Sequence, residues 1–387
     1  MSALGRRAAI TAPWSLLAYV PVQRRAVALP AGPVGFQRGV NLSAWLQLTG
    51  EEAYTPSDLA TLRRSGFDHA RLPFDGYTLG WRPGAVSQAN LVRIRDLDAA
   101  VEQVLASGLN LILDFHPGDE TISLLRADRN GETLALLWGQ LAERYRGMGN
   151  ERVVFELMNE PQRVHGTDSR AWYAAQMRIL RAIRAASDAW VLSSGVWHPD
   201  TRLRTVRLLD DRKILYGTDL YEPLELTHMG ADWDDAQRSG RGALRNLRYP
   251  AHLTDRGLPL AEPGTNWSRA DALARRYISE GWDIGKLRER ATIMAQWSRA
   301  QGVPVHCAEF GVIRGHLDHA SRLRWLRDAR TALDEAGISW TLWDLACTFG
   351  IVEVLAPTAQ AGGRICPPRP EGGVRLMPDL LEALGLG

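Results

Sequence analysis

From Phe36 onward, short apolar runs alternate with stretches whose apolar residues recur at helical spacing. The runs "GFQRGVNLS", "FDHARLPF", "LNLILDFH", "RVVFELMNE", "AWVLSSGVW", "KILYGTDLY", "VPVHCAEFG" and "ISWTLWDL" predict eight strands. Between the second and third, Leu91, Ile94, Leu97, Val101 and Val104 fall on one helical face. Comparable helices are expected over residues 133–145, 171–186, 285–300 and 317–336. Eight strands, each followed by a helix or a long connection, are the parts of an α/β fold of the (β/α)8 TIM-barrel type. The pattern predicts one catalytic domain over residues 36–387, preceded by a distinct N-terminal segment, 1–35. The connection after the sixth strand, residues 222–285, is unusually long. It carries Trp233, Trp267 and Trp282, which argue against disorder and suggest a wall of a binding cleft.

In such a barrel, reactive groups gather at the C-terminal strand ends, where the βα loops surround one cleft. The residues that fall there are Arg71, His116, Asn159 with Glu160, Asp219 with Tyr221, Glu309 and Trp343. In "VVFELMNEP" an apolar run breaks off in Asn-Glu-Pro, which would deliver the carboxylate of Glu160 to that rim. Strand alternation puts Asp219 and Tyr221 on one face, and groups Glu309 with Val305 and Cys307. Two glutamates on one rim suit glycoside hydrolysis, one protonating the departing oxygen and the other attacking the anomeric carbon. The retaining version of that chemistry places the two carboxyl groups about 5–5.5 Å apart. Arg71 would keep Glu309 ionised, Tyr221 could donate to it, Asn159 would reach the adjacent sugar hydroxyl, and Trp343 offers a stacking face.

The motifs "RGVNLSAW", "ARLPFD", "LILDFH", "FELMNEP", "YEPLELTHMGADW", "CAEFG" and "WTLWDLACTFGIV" resemble the successive strand-end motifs of glycoside hydrolase family 5, the cellulase-like retaining glycosidases. The resemblance runs in order from about residue 36 to about residue 353. It implies a (β/α)8 barrel, Glu160 as acid/base and Glu309 as nucleophile. It also implies Arg71, His116, Asn159, Tyr221 and Trp343 as supporting and substrate-binding groups. One position departs from the pattern: the family usually has histidine two residues before the tyrosine, and here Asp219 stands in "TDLYEP". The function expected is retaining cleavage of β-linked poly- or oligosaccharide, in the manner of an endo-β-1,4-glucanase. The departure at Asp219 motivates the alternative of a silent carbohydrate-binding barrel, although Glu160, Glu309 and Arg71 are all present.

Composition narrows the remaining choices. With 45% hydrophobic and 23% charged residues and a net charge of +2, the chain reads as a globular enzyme, with no nucleic-acid partner indicated. Only Lys213 and Lys286 among 46 basic residues are lysines, and the arginines are spread among an equal number of acids. No apolar run reaches the length of a membrane span, and a monomer is expected. No phosphate-cradling glycine loop is present, and the first strand lacks the His-x-His of metal-dependent barrels, so neither cofactor nor metal is expected. Cys307, Cys347 and Cys366 allow at most one disulfide. "GRRAAITAPWSLLAYVPV" followed by Ala26-Val27-Ala28 suits an export signal of twin-arginine type, hence a periplasmic or secreted protein, with a cytoplasmic one as the alternative. Of the 14 tryptophans, Trp138, Trp172, Trp297 and Trp325 sit in helical patterns and are expected in the core. Trp45, Trp197 and Trp233 are the better candidates for sugar subsites, His69 reads as structural, and His228 suits either substrate contact or loop anchoring.

Overall fold

The computed structural model of the chain describes residues 28–47, 53–80, 93–128, 131–149, 151–196, 202–252, 260, 266–353 and 373–387. Eight parallel strands close into a barrel in sequence order: β1 (Arg38–Asn41), β2 (His69–Phe74), β3 (Asn110–Phe115), β4 (Val153–Glu156), β5 (Trp190–Ser194), β6 (Ile214–Leu220), β7 (Val305–Phe310) and β8 (Ser339–Leu342). Each predicted run contains its strand. The anticipated helices are also present, as Ile94–Ala106, Glu132–Tyr145, Ser169–Arg184, Ile284–Gln301 and His319–Ala336. Several begin at an aspartate cap: Asp168 accepts from the amides of Arg170 and Ala171, Asp283 from Lys286, and Asp318 from Ser321. Leu91 lies outside the described residues.

Alternation sorts the strand residues into two layers. Outward-facing Ala70, Leu72, Leu111, Leu113, Phe155 and Val191 join the large apolar layer beneath the helices. Trp138, Trp172 and Trp325 are fully buried there, and Trp297 packs edge-on against Tyr216, as the helical patterns implied. The inward-facing residues are graded along the barrel axis. Ile112, Val154, Leu192 and Leu215 with Phe36 form an apolar plug at the bottom. Above it, His69 and His306 both reach the hydroxyl of Thr341 at 2.8 Å. Gly39 makes this layer possible, because a Cβ there would lie 2.1 Å from the His69 ring. His69 is therefore structural. The top layer is almost wholly polar.

The connection after β6, in its described residues, is built rather than loose. It contains short helices at Leu224–Thr227 and Asp234–Ser239 and a longer one at Trp267–Glu280. Its residues Leu226, Met229, Leu244, Tyr249 and Tyr277 are buried, which anchors it to the barrel. Among the described residues, no helix is long and apolar enough to cross a membrane.

Candidate active site

Arg71 organises the polar top of the barrel. It projects inward from β2, is fully buried, and spends its whole guanidinium on neighbours. Nε and Nη2 form a fork on Glu156, at 2.6 and 2.8 Å. Nη1 donates to Asn41 Oδ1 at 2.8 Å and to Glu309 Oε1 at 2.9 Å. Nη2 also meets Asp114 Oδ2 at 2.9 Å and Asn159 Oδ1 at 3.1 Å. Burial works against the charge, but Asp114, Glu156 and Glu309 outweigh it and hold the guanidinium well above its ordinary pKa. Three carboxylates around one cation cannot all be comfortable. Burial pushes Asp114 up to about 7, against the pull of Arg71 and with the help of the charges of Glu309 and Glu160.

Glu309 reaches this ring through an irregularity. In β7 the pairs run Thr218 with Cys307, then Asp219 with Glu309, so Ala308 is an extra residue. The pairing with β8 skips at the same place. Cys307 belongs to the outer apolar layer and is a free buried thiol, whereas His306 points inward. Strict alternation would send Glu309 outward with Val305 and Cys307. The bulge reverses it, so the parity read from the sequence is overturned at this residue. The carbonyl of Ala308 is taken up by Asn41 Nδ2 at 3.2 Å. Tyr221 completes the clamp by donating to Glu309 Oε2 at 3.0 Å. Burial first, then the charges of Glu309, Asp219 and Glu160, holds the phenol well above its ordinary pKa, so it remains a donor. Asp219 lies inward and half-buried beside Glu309, on the face it shares with Tyr221 as alternation predicted.

Sheet pairing of β4 stops at Glu156, but the chain continues along its neighbours: the Leu157 amide donates to the Leu192 carbonyl and that of Asn159 to Phe115. The turn comes at Glu160, with φ of 45°, a left-handed conformation uncommon for a glutamate. Pro161 then opens the short helix Gln162–His165. Asn159 is buried and bridges two partners, with Oδ1 on Arg71 and Nδ2 3.0 Å from His116 Nε2. Trp343 follows β8, with one ring stacked on His116 (centroids 5.4 Å apart, planes at 21°). Gly311 permits this, since a Cβ there would lie 2.0 Å from the Trp343 carbonyl.

One wall of the cleft is aromatic. Tyr221, His228, Trp233 and Phe349 pack against one another at centroid separations of 5.0 to 6.5 Å. Trp233 and Trp343 are half-buried and present the remainder of their faces. His228 also meets the Thr227 hydroxyl at 2.9 Å, and burial, with Arg241 adding to it, pushes it down to about 3. It is a neutral anchor for the loop. Trp45 is no subsite: it is buried edge-on against Tyr54, in a segment whose Leu46 pairs with Phe74 at the end of β2. Trp197 lies outside the described residues. The structure thus gathers Arg71, His116, Asn159, Tyr221, Glu309 and Trp343 into one contact network, with Asp219 and Glu160 at its edge. Sequence reasoning passed over Asn41, Asp114 and Glu156. Their signal was a polar residue at inward parity inside a buried strand, Asp114 two before His116 and Glu156 four before Glu160.

A closed (β/α)8 barrel whose rim carries two glutamates, a buried arginine and sugar-sized aromatic faces belongs to the class of glycoside hydrolases. The model described as "Cellulase (glycosyl hydrolase family 5)" matches residues 32–347, and the chain belongs to that family. It is 28% identical over 328 residues to endoglucanase C of Acetivibrio thermocellus, covering 80% of this chain and 91% of that one. It is 25% identical over 336 residues to endoglucanase 3 of Fibrobacter succinogenes, covering 82% of this chain and 50% of that one. Among solved structures, Thermotoga maritima Cel5A in complex with cellobiose superposes with a TM-score of 0.68 at 20% identity, covering 90% of this chain and 97% of that one. The chain is a retaining hydrolase of β-linked glycans.

Proposed function

We propose that the protein is an endo-acting β-1,4-glucanase in which Glu309 is the nucleophile and Glu160 the acid/base. The observation that carries the reading is the clamp on Glu309. One oxygen takes a charged donor from Arg71 and the other a neutral donor from Tyr221. Such a carboxylate has both oxygens fixed and is held in one orientation, as a nucleophile must be. Glu309 attacks the anomeric carbon while Glu160 passes its proton to the departing glycosidic oxygen. The resulting glycosyl ester is opened by water, with Glu160 taking the water's proton. Asn159 binds the hydroxyl next to the reacting carbon, where the bond strengthens as the ring gains positive charge. Trp343 and Trp233 supply stacking faces in the cleft.

Endoglucanase names among the relatives favour a glucan, and a cellodextrinase from Ruminococcus flavefaciens, 28% identical over 219 residues, points the same way. A polymer of that kind does not enter the cell, which favours export, and we take the working unit to be a monomer. The test is a panel of β-glucans, mannans and aryl β-glycosides with product sizes resolved. The reading expects a rapid fall in the viscosity of soluble cellulose. Glu309→Ala should abolish turnover, with azide restoring activity and giving an inverted product. An α-configured first product from the wild type would overturn the roles of the two glutamates, and release of single terminal sugars would overturn endo action.

A further inference from the structure

The hydrogen bonds around Asn159 have a direction that two residues fix from opposite ends. Arg71 Nη2 can only donate, so the atom of Asn159 facing it at 3.1 Å is the oxygen. The amide nitrogen therefore faces His116 Nε2 at 3.0 Å and donates to it. With Nε2 accepting, the imidazole proton sits on Nδ1, 2.8 Å from Asp114 Oδ2. Asp114 Oδ2 also lies 2.9 Å from Arg71 Nη2, which closes the ring. Asp114 Oδ1, by contrast, is buried with no hydrogen-bond partner among the described residues. We infer that Asp114 is a positioning residue whose Oδ2 holds His116 in the Nδ1–H tautomer, and so locks Asn159 with one amide hydrogen left for the sugar.

This rests on the reading of Asn159 as the contact to the hydroxyl beside the anomeric carbon. An unrestrained imidazole readily carries its proton on Nε2, which would oppose the Asn159 amide donor for donor. Turning the amide over would only move the conflict to Arg71. Without the acceptor at Asp114, the ring has no consistent arrangement that keeps Asn159 in place. The groups facing Asp114 are Arg71, His116, Glu309 and Glu160, and its carboxyl sits at about 7. Uptake of a proton on the unpartnered Oδ1 leaves Oδ2 accepting, so the direction of the ring survives that titration.

The test pairs a spectroscopic measurement with a substrate cycle, both on the full chain. Nitrogen-15 shifts of His116 in the wild type should report a protonated Nδ1 and a bare Nε2 across pH 6 to 8. An aryl β-cellobioside and its analogue lacking the 2-hydroxyl on the sugar bound to the aryl group are then compared. Asp114→Ala should lower kcat/KM about tenfold more on the first than on the second, the worth of one hydrogen bond. Asp114→Asn, whose Oδ1 can take both donors, should retain most of the wild-type rate. An Nε2–H tautomer in the wild type overturns the inference, as do equal losses on the two substrates. If Asp114→Ala does not fold, the wild-type tautomer and the Asp114→Asn rates decide it. If the wild type cleaves neither glycoside, the functional reading fails, and the tautomer still decides the direction of the ring.

Discussion

Arg71→Met would remove the guanidinium from a buried group of carboxylates while keeping a long apolar stem. Glu156 is buried and takes two of the guanidinium's hydrogen bonds, so it loses most. A buried carboxylate stripped of its partner avoids the charge by taking up a proton. For a glutamate with an unfolded pKa near 4.3, that uptake costs about 3.7 kcal/mol at pH 7 and about 1 kcal/mol at pH 5. The first figure agrees with the roughly 3–5 kcal/mol typical of a buried pair broken from one side. The sign follows from proton counting. In the variant the folded state holds more protons than the unfolded one, so its stability falls as pH rises. Asp114, with its raised pKa, already gives the wild type some slope in this direction. The quantity to measure is therefore the difference between variant and wild type. Denaturant titrations of both proteins at pH 5 and pH 7 should show a gap of about 4 kcal/mol at pH 7 that shrinks to about 1 kcal/mol at pH 5. A gap that is the same at both pH values would refute the reasoning, because it would mean that Arg71 stabilises by packing rather than by charge.

Tyr221→Phe should leave the melting temperature nearly unchanged and lower kcat/KM by about tenfold, since one hydrogen bond to the nucleophile is lost; an unchanged rate would remove Tyr221 from the machinery. Trp233→Ala should raise KM for long oligosaccharides more than for a short aryl glycoside, because the contact is remote from the reacting bond. Equal effects on both substrates would make Trp233 a packing residue of the His228–Phe349 wall. Asp219→Asn and Asp219→His should each move the basic limb of the kcat/KM profile to lower pH, since each removes a carboxylate from the rim beside Glu309. A fixed limb in both variants would show that Asp219 does not couple to Glu160.

The barrel was legible because its outer layer obeys simple periods. The face of Leu97, Val101 and Val104 is buried at helical spacing, and Leu111 and Leu113 alternate with Ile112 and Asp114 across the barrel wall. The rim residues were legible from their positions at strand ends. Two features were not. The bulge at Ala308 leaves no mark in "VPVHCAEFG", because an extra residue in one strand is visible only against its partners. The carboxylates of Asp114 and Glu156 were not legible, because the ring that holds Arg71 is built one layer deeper than the strand ends. Trp45 misled for the complementary reason: it follows a strand, but its ring is buried against Tyr54.

The extra residue in β7 means that the aim of Glu309 is set by counting as much as by chemistry. With Ala308 present but the pairing regular, the same glutamate would point into the apolar layer beneath the helices, on the side of Cys307. Every motif around it would still read correctly. Comparisons among relatives need to align this strand by its hydrogen-bond partners, since a gap placed one position away assigns the carboxylate to the wrong side of the barrel wall.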